Sequence, residues 1–424
     1  MPASQQAALD PYMALIVGYR KSGLSLNHII GCPLDCGYCV RHFWGNFEVK
    51  TPHLLCDDQR AVELLTGHHA FRPHVTPVQL LNKATDPFLP GVKPHLFRVL
   101  RALDQCGLAN HVLVITRFTV TSADMDALEA LDHLRVTLLF TYSGISDPRV
   151  EPIARTRITA RSIRIACARK QRTGVVLYWR PIVPGWNDQP ATMAHVLNVG
   201  KDADAIVFTG YYHKPENAAY LRSQGVDLPY GDSDYHRRKA LPADLDATVI
   251  VAWRASGIST PLFRKTSCGV AYAHQTPDYN GHWGVREICD ICPAAQQRRC
   301  AADYRQPAPA DLDQVMSELG YESPYLIEDG HVWTHGLGEQ RRYAIQHALR
   351  YQIWELDQPH YLHSHGRASH GYTSDPAQAD HVAALRARIT ETDAVYRRRL
   401  VSRSGRTTLW PATRPRGRPH RSPP

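Results

Sequence analysis

Three cysteines near the amino terminus, Cys32, Cys36 and Cys39, lie close enough in sequence to bind one metal centre together. Their pattern is C-x3-C-x2-C, and the aromatic Tyr38 directly precedes the last cysteine. Three thiolates on a four-iron cluster leave the fourth iron open to bind another molecule. With His42 the pattern becomes C-x3-C-x2-C-x2-H, which would suit a structural zinc. The spacing therefore predicts an iron–sulfur site with an open iron, with a zinc site or a disulfide framework as the alternatives.

A second group of cysteines lies far downstream in a C-x20-C-x2-C-x7-C pattern and consists of Cys268, Cys289, Cys292 and Cys300. Four thiolates close a site completely, as suits zinc or an auxiliary four-iron cluster. We expect a second [4Fe-4S] cluster here. Zinc and a site without metal are the alternatives, and the spacing alone does not separate the two metals.

Alternating apolar strands and amphipathic helices must position these groups. The pattern predicts six strands, over 24–30, 77–82, 111–116, 135–142, 174–182 and 203–209. It predicts five helices among them, over 57–66, 93–106, 122–132, 159–172 and 190–200. Strands that alternate with helices indicate a parallel α/β sheet, as in an open or closed α/β barrel. Chemistry in such barrels lies at the carboxyl ends of the strands.

Polar side chains mark those strand ends. Thr85 and Asp86 follow the second strand, Ser143 follows the fourth, and Arg180 lies within the fifth. A charge inside an apolar strand is costly unless it is paired. Arg180 is therefore expected to face an anion at the mouth of the barrel, or to form a structural ion pair.

The first cysteine pattern resembles that of the radical S-adenosylmethionine (SAM) superfamily. Three further pieces resemble its spore photoproduct lyase and DNA-repair-photolyase-like branch: Thr-Asp-Pro-Phe at 85–88, Glu151-Pro152, and Arg-Pro-Ile-Val-Pro-Gly-Trp-Asn-Asp at 180–188. The resemblance covers residues 20–215. It implies a partial (β/α)6 TIM-like barrel and an enzyme of lyase or oxidoreductase type. A [4Fe-4S] cluster on the first three cysteines would reductively cleave SAM to a 5′-deoxyadenosyl radical, which takes a hydrogen from the substrate.

The same resemblance implies roles for individual residues. Tyr38 would approach the adenine of SAM, and Thr85 and Asp86 would lie where its amino group is held. Ser143 would contact the ribose or carboxylate, and Arg180 would lie near the carboxylate. Thr85 and Ser143 have an alternative role as turn caps. An external electron donor of the flavodoxin or ferredoxin type is implied, and the substrate stays open among nucleic acid, small metabolite and peptide.

Composition places the chain in a reducing compartment. The 424 residues contain no apolar run of about 18 residues, the minimum for a membrane span, and the first ten lack the features of a secretory signal. Ten cysteines in clustered spacings favour metal ligation over disulfides. We therefore expect a cytoplasmic protein with no membrane partner.

The net charge of +9 arises in the carboxyl-terminal tail. Residues 397–424 contain nine arginines and no Lys, Asp or Glu, which leaves a neutral body. Such a tail is expected to be disordered and to bind nucleic acid non-specifically, or to be a solvated extension without a binding role. A non-catalytic alternative for the whole chain, a zinc-stapled nucleic-acid-binding protein, would instead call for a basic body.

The predicted organisation has five parts. An N-terminal extension (1–20) precedes the barrel (21–215), and a connector with the auxiliary metal site (216–305) follows it. A small appended α+β domain (306–395) contains a predicted hairpin of two short strands, and the basic tail (396–424) ends the chain. Four aromatic residues near the strand ends are candidates for stacking on a nucleic-acid base: Trp179, Trp186, Tyr211 and Tyr212.

Overall fold

A computed structural model describes residues 15–83, 85–232, 241–328, 330–356, 380 and 383–389, except for the side chains of residues 44, 153–155, 286 and 287. The arginine-rich tail and most of the N-terminal extension lie outside the described residues. The helices found within those ranges lack the combination of length and hydropathy that a bilayer-crossing helix needs.

An eight-stranded sheet organises the chain, in the order β1-β2-β5-β6-β7-β8-β9-β10. The edge strand β1 (Val17–Arg20) pairs antiparallel with β2, and all other neighbours are parallel. The remaining members are β2 (Gly23–Leu26), β5 (Val78–Leu80), β6 (His111–Thr116), β7 (Arg135–Tyr142), β8 (Gly174–Ile182), β9 (Ala205–Gly210) and β10 (Leu262–Phe263). The six predicted strands are confirmed as consecutive parallel neighbours.

The first predicted strand divides in two. β2 ends at Leu26, and β3 (Ile29–Ile30) pairs separately with β4 (His53–Leu54). The division falls at Asn27, whose side chain donates to Ser25 Oγ at 2.6 Å and accepts from the Lys83 amide at 2.9 Å. A polar side chain that bonds to neighbouring segments competes with continued strand pairing.

Helices follow the strands as the sequence predicts. They are α1 (Asp58–Thr66), α2 (Lys93–Gln105), α3 (Ser122–Glu129), α4 (Ile153–Arg169), α5 (Pro190–Val199), α6 (Pro215–Ser223) and α7 (Ala243–Ser256). Two begin at side-chain caps: Asp57 accepts from the Arg60 amide at 2.7 Å, and Thr121 forms a capping box with Asp124. Such caps satisfy amides that the helix itself leaves unpaired.

The two faces of the sheet bury different partners. Because strand side chains alternate, Leu138 and Leu177 face one way and Leu139 and Val176 the other. The first pair shares a core with helix residues that include Leu100, Met125, Ile163 and Leu197. The second pair packs with Cys268, Val270 and Tyr279. The second cysteine group therefore lies on the face of the sheet that α2 to α5 leave uncovered.

The helix that carries Cys268 packs closely on this second face. It is α8 (Thr266–Ala273), which follows β10 and contacts β8 and β9. A Cβ on Gly269 would come within 2.5 Å of Val207 Cγ2, so the glycine permits the approach. Because β10 joins the sheet, the sheet extends beyond residue 215, where the barrel was predicted to end.

The remaining elements form a small α+β unit after the cysteine segment. That segment contains α9 (Arg286–Cys289) and α10 (Ala294–Asp303), followed by α11 (Pro309–Leu319) and α12 (Glu339–Leu349). The predicted hairpin is confirmed as β11 (Tyr325–Glu328) paired antiparallel with β12 (His331–Thr334), and β13 (Ile353–Glu355) completes a three-stranded sheet. The unit packs on the edge of the main sheet, where the Tyr19 hydroxyl lies 2.9 Å from His347 Nδ1.

The loop after β8 is fixed by one buried amide, and this yields a first prediction. Asn187 donates to the carbonyls of Ser143 at 2.6 Å and Pro181 at 2.8 Å, and accepts from the Val183 amide at 2.9 Å. Asn187→Ala should lower the free energy of unfolding by about 2–3 kcal/mol, because it leaves buried polar groups unpaired. Urea denaturation measures the loss. Asn198→Ala, on the exposed side of α5, should change the free energy of unfolding by less than about 0.5 kcal/mol. Equal losses in the two variants would contradict the role of Asn187 in fixing the loop.

Candidate functional site

The first cysteine loop follows β3 and ends in a 3-10 helix (Val40–Trp44). The amide of Cys32 donates to the Val49 carbonyl and that of Gly37 to the Val150 carbonyl, both at 2.9 Å. A Cβ on Gly37 would come within 2.5 Å of Leu221 Cδ2. The loop is therefore held between the segments that follow β7 and β9, at the carboxyl edge of the sheet.

Arg41 fixes the shape of this loop. Its side chain is buried, and it donates to the Cys32 carbonyl at 2.6 Å and to the Phe47 carbonyl. A guanidinium has five donors in a rigid plane, so one side chain can gather several carbonyls of a turning backbone. Arg41 thus holds the two ends of the loop together.

The three thiols of the loop lie in surroundings that disfavour a bare thiolate. Cys32 and Cys36 are buried and Cys39 is half-buried. Burial raises the pKa of Cys32 to about 11 and raises that of Cys36 well above its usual range, although Arg41 and Arg117 respectively oppose the shift. Metal ligation requires thiolates, and a bound cationic metal would supply the charge that stabilises them. The donor set therefore fits an iron–sulfur cluster.

The His42 side chain packs among aromatic rings. Its ring packs against Phe47 and Tyr220, with centroid distances of 3.8 and 4.5 Å. Burial lowers the pKa of His42 to about 4. The imidazole packs against aromatic rings, and its buried Nε2 atom has no hydrogen-bond partner among the described residues, so the Cys3His zinc site remains an alternative.

One buried carboxylate joins the residues around Tyr38. The Glu151 carboxylate accepts hydrogen bonds from the Tyr38 hydroxyl and the Ser143 hydroxyl, each at 2.5 Å, and pairs with Arg117 at 3.0 Å. Arg117 also donates to the Tyr38 hydroxyl at 2.6 Å. The structure thus brings Tyr38 and Ser143 together through Glu151. The sequence suggested no function for Glu151; its place after the fourth strand was the available signal.

Asp86 and Thr85 differ in how their polar atoms are used. Asp86 accepts from Thr116 Oγ1 at 2.7 Å and from the amides of Arg117 and Phe88 at 2.9 and 3.0 Å. Burial raises the pKa of Asp86, and these donors oppose the shift. Thr85 Oγ1 is buried and has no hydrogen-bond partner among the described residues. Thr85 therefore offers an unused hydroxyl, whereas both oxygens of Asp86 already bind the protein.

Arg180 is half-buried, and its guanidinium carbon lies 4.8 Å from the centre of the Tyr178 ring. Arg180 forms no ion pair with any described residue. The alternative role, a structural ion pair, therefore has no partner among those residues. Tyr178 lies on the same face of the sheet as the second cysteine group. The guanidinium therefore remains a candidate for binding an anion.

Two of the four proposed stacking residues are unsuited to that role. Trp179 and Tyr211 are both 0% exposed, so neither can present a ring to a base, and the prediction for them is wrong. Both belong to the main core: Trp179 lies within β8, and Tyr211 directly follows β9. Trp186 and Tyr212 are half-buried.

The four downstream cysteines lie on neighbouring segments, and we call them the second centre: Cys268, Cys289, Cys292 and Cys300. Cys268 begins α8, while the other three lie on α9, α10 and the turn between them. Burial raises the pKa of Cys289 to about 11 and of Cys292 to about 12, and raises those of Cys268 and Cys300. Cys268 interacts electrostatically with the other three thiols. The four thiols are candidates for one metal site, and no three of their Sγ atoms lie within 4.8 Å of one another in this structure.

Two further residues lie at the second centre. The ligand atoms of Cys268, Asp278 and His282 all lie within 4.8 Å of one another, and all three residues are buried. His282 Nδ1 lies 2.7 Å from Asp278 Oδ2 and 4.0 Å from Cys268 Sγ. The sequence reasoning did not select this pair. The D-x3-H spacing between two ligand cysteines was the signal that could have found it.

No protein-family model and no curated protein sequence matches the chain. Among solved structures, spore photoproduct lyase complexed with dinucleoside spore photoproduct matches with 11% identity and a TM-score of 0.40, over 56% of this chain and 75% of that protein. SuiB of Streptococcus suis bound to S-adenosylmethionine matches with 10% identity and a TM-score of 0.40, over 56% of this chain and 49% of SuiB.

The chain spans about half the length of SuiB. A second SuiB structure, bound to its precursor peptide SuiA, matches with 11% identity and a TM-score of 0.38. Likeness at this level assigns neither a reaction nor a substrate, which have to come from the chain's own residues.

Proposed function

We propose that this chain is a radical SAM enzyme whose [4Fe-4S] cluster is held by Cys32, Cys36 and Cys39. The observation that carries the proposal is the geometry of one loop: three thiols, clamped by Arg41, at the carboxyl edge of a parallel sheet. When bound and reduced, such a cluster supplies the electron that splits SAM into methionine and a 5′-deoxyadenosyl radical. The cofactor carries this chemistry, and the protein binds, orients and excludes water.

The chain's own residues would prepare the site in two ways. Burial of Cys32 and Cys36 keeps water from the loop. The Glu151 carboxylate orients Tyr38 and Ser143, the residues expected beside the adenine and the ribose or carboxylate of SAM, and it balances the charge of Arg117. Thr85 and Asp86 would hold the amino group and Arg180 the carboxylate. Of these, Thr85 and Arg180 have groups free to do so among the described residues.

The second centre completes the proposal as an auxiliary [4Fe-4S] cluster, with zinc as the alternative metal. An external flavodoxin- or ferredoxin-like donor would supply the electron, in the cytoplasm. The substrate and the reaction type, lyase or oxidoreductase, follow from neither centre.

Anaerobic reconstitution tests the proposal directly. The protein should turn brown, bind about four irons per cluster, and release 5′-deoxyadenosine from SAM when dithionite is added. Deuterium transferred from a labelled candidate into 5′-deoxyadenosine would then identify the substrate. Zinc without iron after reconstitution would contradict the proposal and support the zinc-stapled, non-catalytic alternative.

Thr85→Val tests the placement of SAM and is our second prediction. The change removes only a hydroxyl with no hydrogen-bond partner among the described residues, so the free energy of unfolding should stay within about 0.5 kcal/mol of the original. SAM binding should weaken roughly two- to tenfold, because a neutral hydrogen bond contributes about 0.5–1.5 kcal/mol. Equilibrium binding to the reconstituted protein measures this. Thr248→Val, on an exposed position of α7, is the matched control, and equal affinities in both variants would remove Thr85 from the site.

A further inference from the structure

We propose that Asp278 is a metal ligand of the second centre through its Oδ1 atom, and that His282 is the positioning residue that orients it. The inference rests on the second metal centre within the proposed function. It places an oxygen donor in a site that the sequence predicts to contain sulfur donors alone, so that a four-ligand site would combine Asp278 with three of the four thiols.

The hydrogen bonds of Asp278 fix one of its oxygens and leave the other for a ligand. Oδ2 accepts from the His282 amide at 2.9 Å and lies 2.7 Å from His282 Nδ1. The Ser267 hydroxyl also interacts with the carboxylate. Oδ1 is buried and accepts no hydrogen bond that meets the usual distance and angle limits among the described residues. Asp278 as a whole is 5% exposed, so water does not readily replace such a partner. Carboxylates that bind metals are held in this way, by a hydrogen bond to the oxygen that does not ligate.

The position of Asp278 relative to the thiols points to the same role. Its own amide donates to Cys300 Sγ at 3.4 Å, and the His282 carbonyl accepts from Cys289 Sγ at 3.5 Å. The segment 278–282 thus touches the cysteine segment at two points, and its carboxylate lies near Cys268 as well. A buried carboxylate among four thiols concentrates negative charge if the thiols ionise. A bound metal cation would supply the compensating charge.

A small pocket borders the proposed ligand and also borders Cys300, Tyr304 and Arg350. Asp303 lines it too, but its carboxylate pairs with Arg350 at 3.0 Å. Asp303 is therefore a matched control, because it is an acid of the same pocket whose charge is already compensated.

The test counts metal at the second centre alone. The full chain with Cys32, Cys36 and Cys39 replaced by alanine cannot form the first cluster. Metal bound elsewhere, as at His28, Asp58 and His95, is common to all the variants and cancels in the comparison. Asp278→Asn, Asp278→Cys and Asp303→Asn are added separately to this background. Each protein is loaded anaerobically either with ferrous iron and sulfide or with zinc alone, and metal per chain is measured during a chelator titration. The two loading arms distinguish a cluster from a mononuclear site.

Asp278→Asn should lower the apparent metal affinity at least tenfold, since even partners of a ligand contribute about 10–100-fold. Asp278→Cys should restore most of the binding with a changed absorption spectrum, because a thiolate can replace a ligating carboxylate. Asp303→Asn should leave the apparent metal affinity equal to that of the background chain. Unchanged affinity in Asp278→Asn, or loss of metal in both Asp278 variants, would overturn the proposal, since the first means no ligation and the second a structural carboxylate.

A background chain that binds neither metal would also overturn it, together with the second centre itself. SAM cleavage in the chain with Cys32, Cys36 and Cys39 intact is scored separately, so failure at the first site is distinguishable. The same substitutions made in that intact chain, followed by total metal analysis, repeat the comparison if the background misfolds.

Discussion

Replacing Cys32, Cys36 and Cys39 together with alanine is expected to abolish reductive SAM cleavage and to lower the iron content from about eight to about four atoms per chain. The loop offers these three thiols as its ligands, and no residue of the second centre is drawn from the same segment. Iron analysis after anaerobic reconstitution and chromatography of 5′-deoxyadenosine measure the two effects.

The appropriate control for this prediction is Cys106→Ala, which removes an exposed thiol at the end of α2. It should retain all the iron and the full cleavage rate. SAM cleavage that survives in the triple variant, or an iron content that does not fall, would show that the first loop does not hold the cluster.

Glu151→Ala is expected to cause the largest loss of stability, about 3–5 kcal/mol in the free energy of unfolding. The substitution leaves the Arg117 guanidinium without its ion partner. The Arg117 side chain is 14% exposed, and that of Glu151 is 2% exposed. Breaking a buried pair by removing one partner costs this much because the remaining charge stays desolvated. The Tyr38 and Ser143 hydroxyls also lose their acceptor.

Urea denaturation of the protein without metal measures this effect apart from cluster binding. Glu63→Ala is the matched control, because Glu63 pairs with Arg60 at 3.1 Å on the exposed side of α1, with side chains 50% and 57% exposed. Its loss should stay below about 1 kcal/mol. Glu151→Gln, which keeps acceptor oxygen for the two hydroxyls, should fall between the two variants, and similar losses for Glu151→Ala and Glu63→Ala would refute the buried network.

The two candidate centres use different parts of one sheet. The first lies where loops meet at the carboxyl edge, held by contacts to the segments after β7 and β9. The second lies on the face that α8 covers, where Gly269 allows the helix close to Val207. The separate positions mean that substitutions at one centre should leave the protein ligands of the other unchanged.

The sequence by itself determined the elements and the thiol sets. Six strands and their helices were predictable because period-two and period-3.6 burial patterns are local, and because caps such as Asp57 and Thr121 act within one turn. The cysteine spacings were readable for the same reason: ligands that share a loop or a helical turn are near one another in the chain.

Only the tertiary structure decided which distant residues meet. Glu151 joins Tyr38, Arg117 and Ser143 from separate segments, and Asp278 reaches the second centre from a loop with no distinctive pattern. Trp179 and Tyr211 look available beside strand ends but are buried by contacts from elsewhere in the chain. Such contacts depend on how the strands register and how helices cover each face, and local periodicity does not specify them.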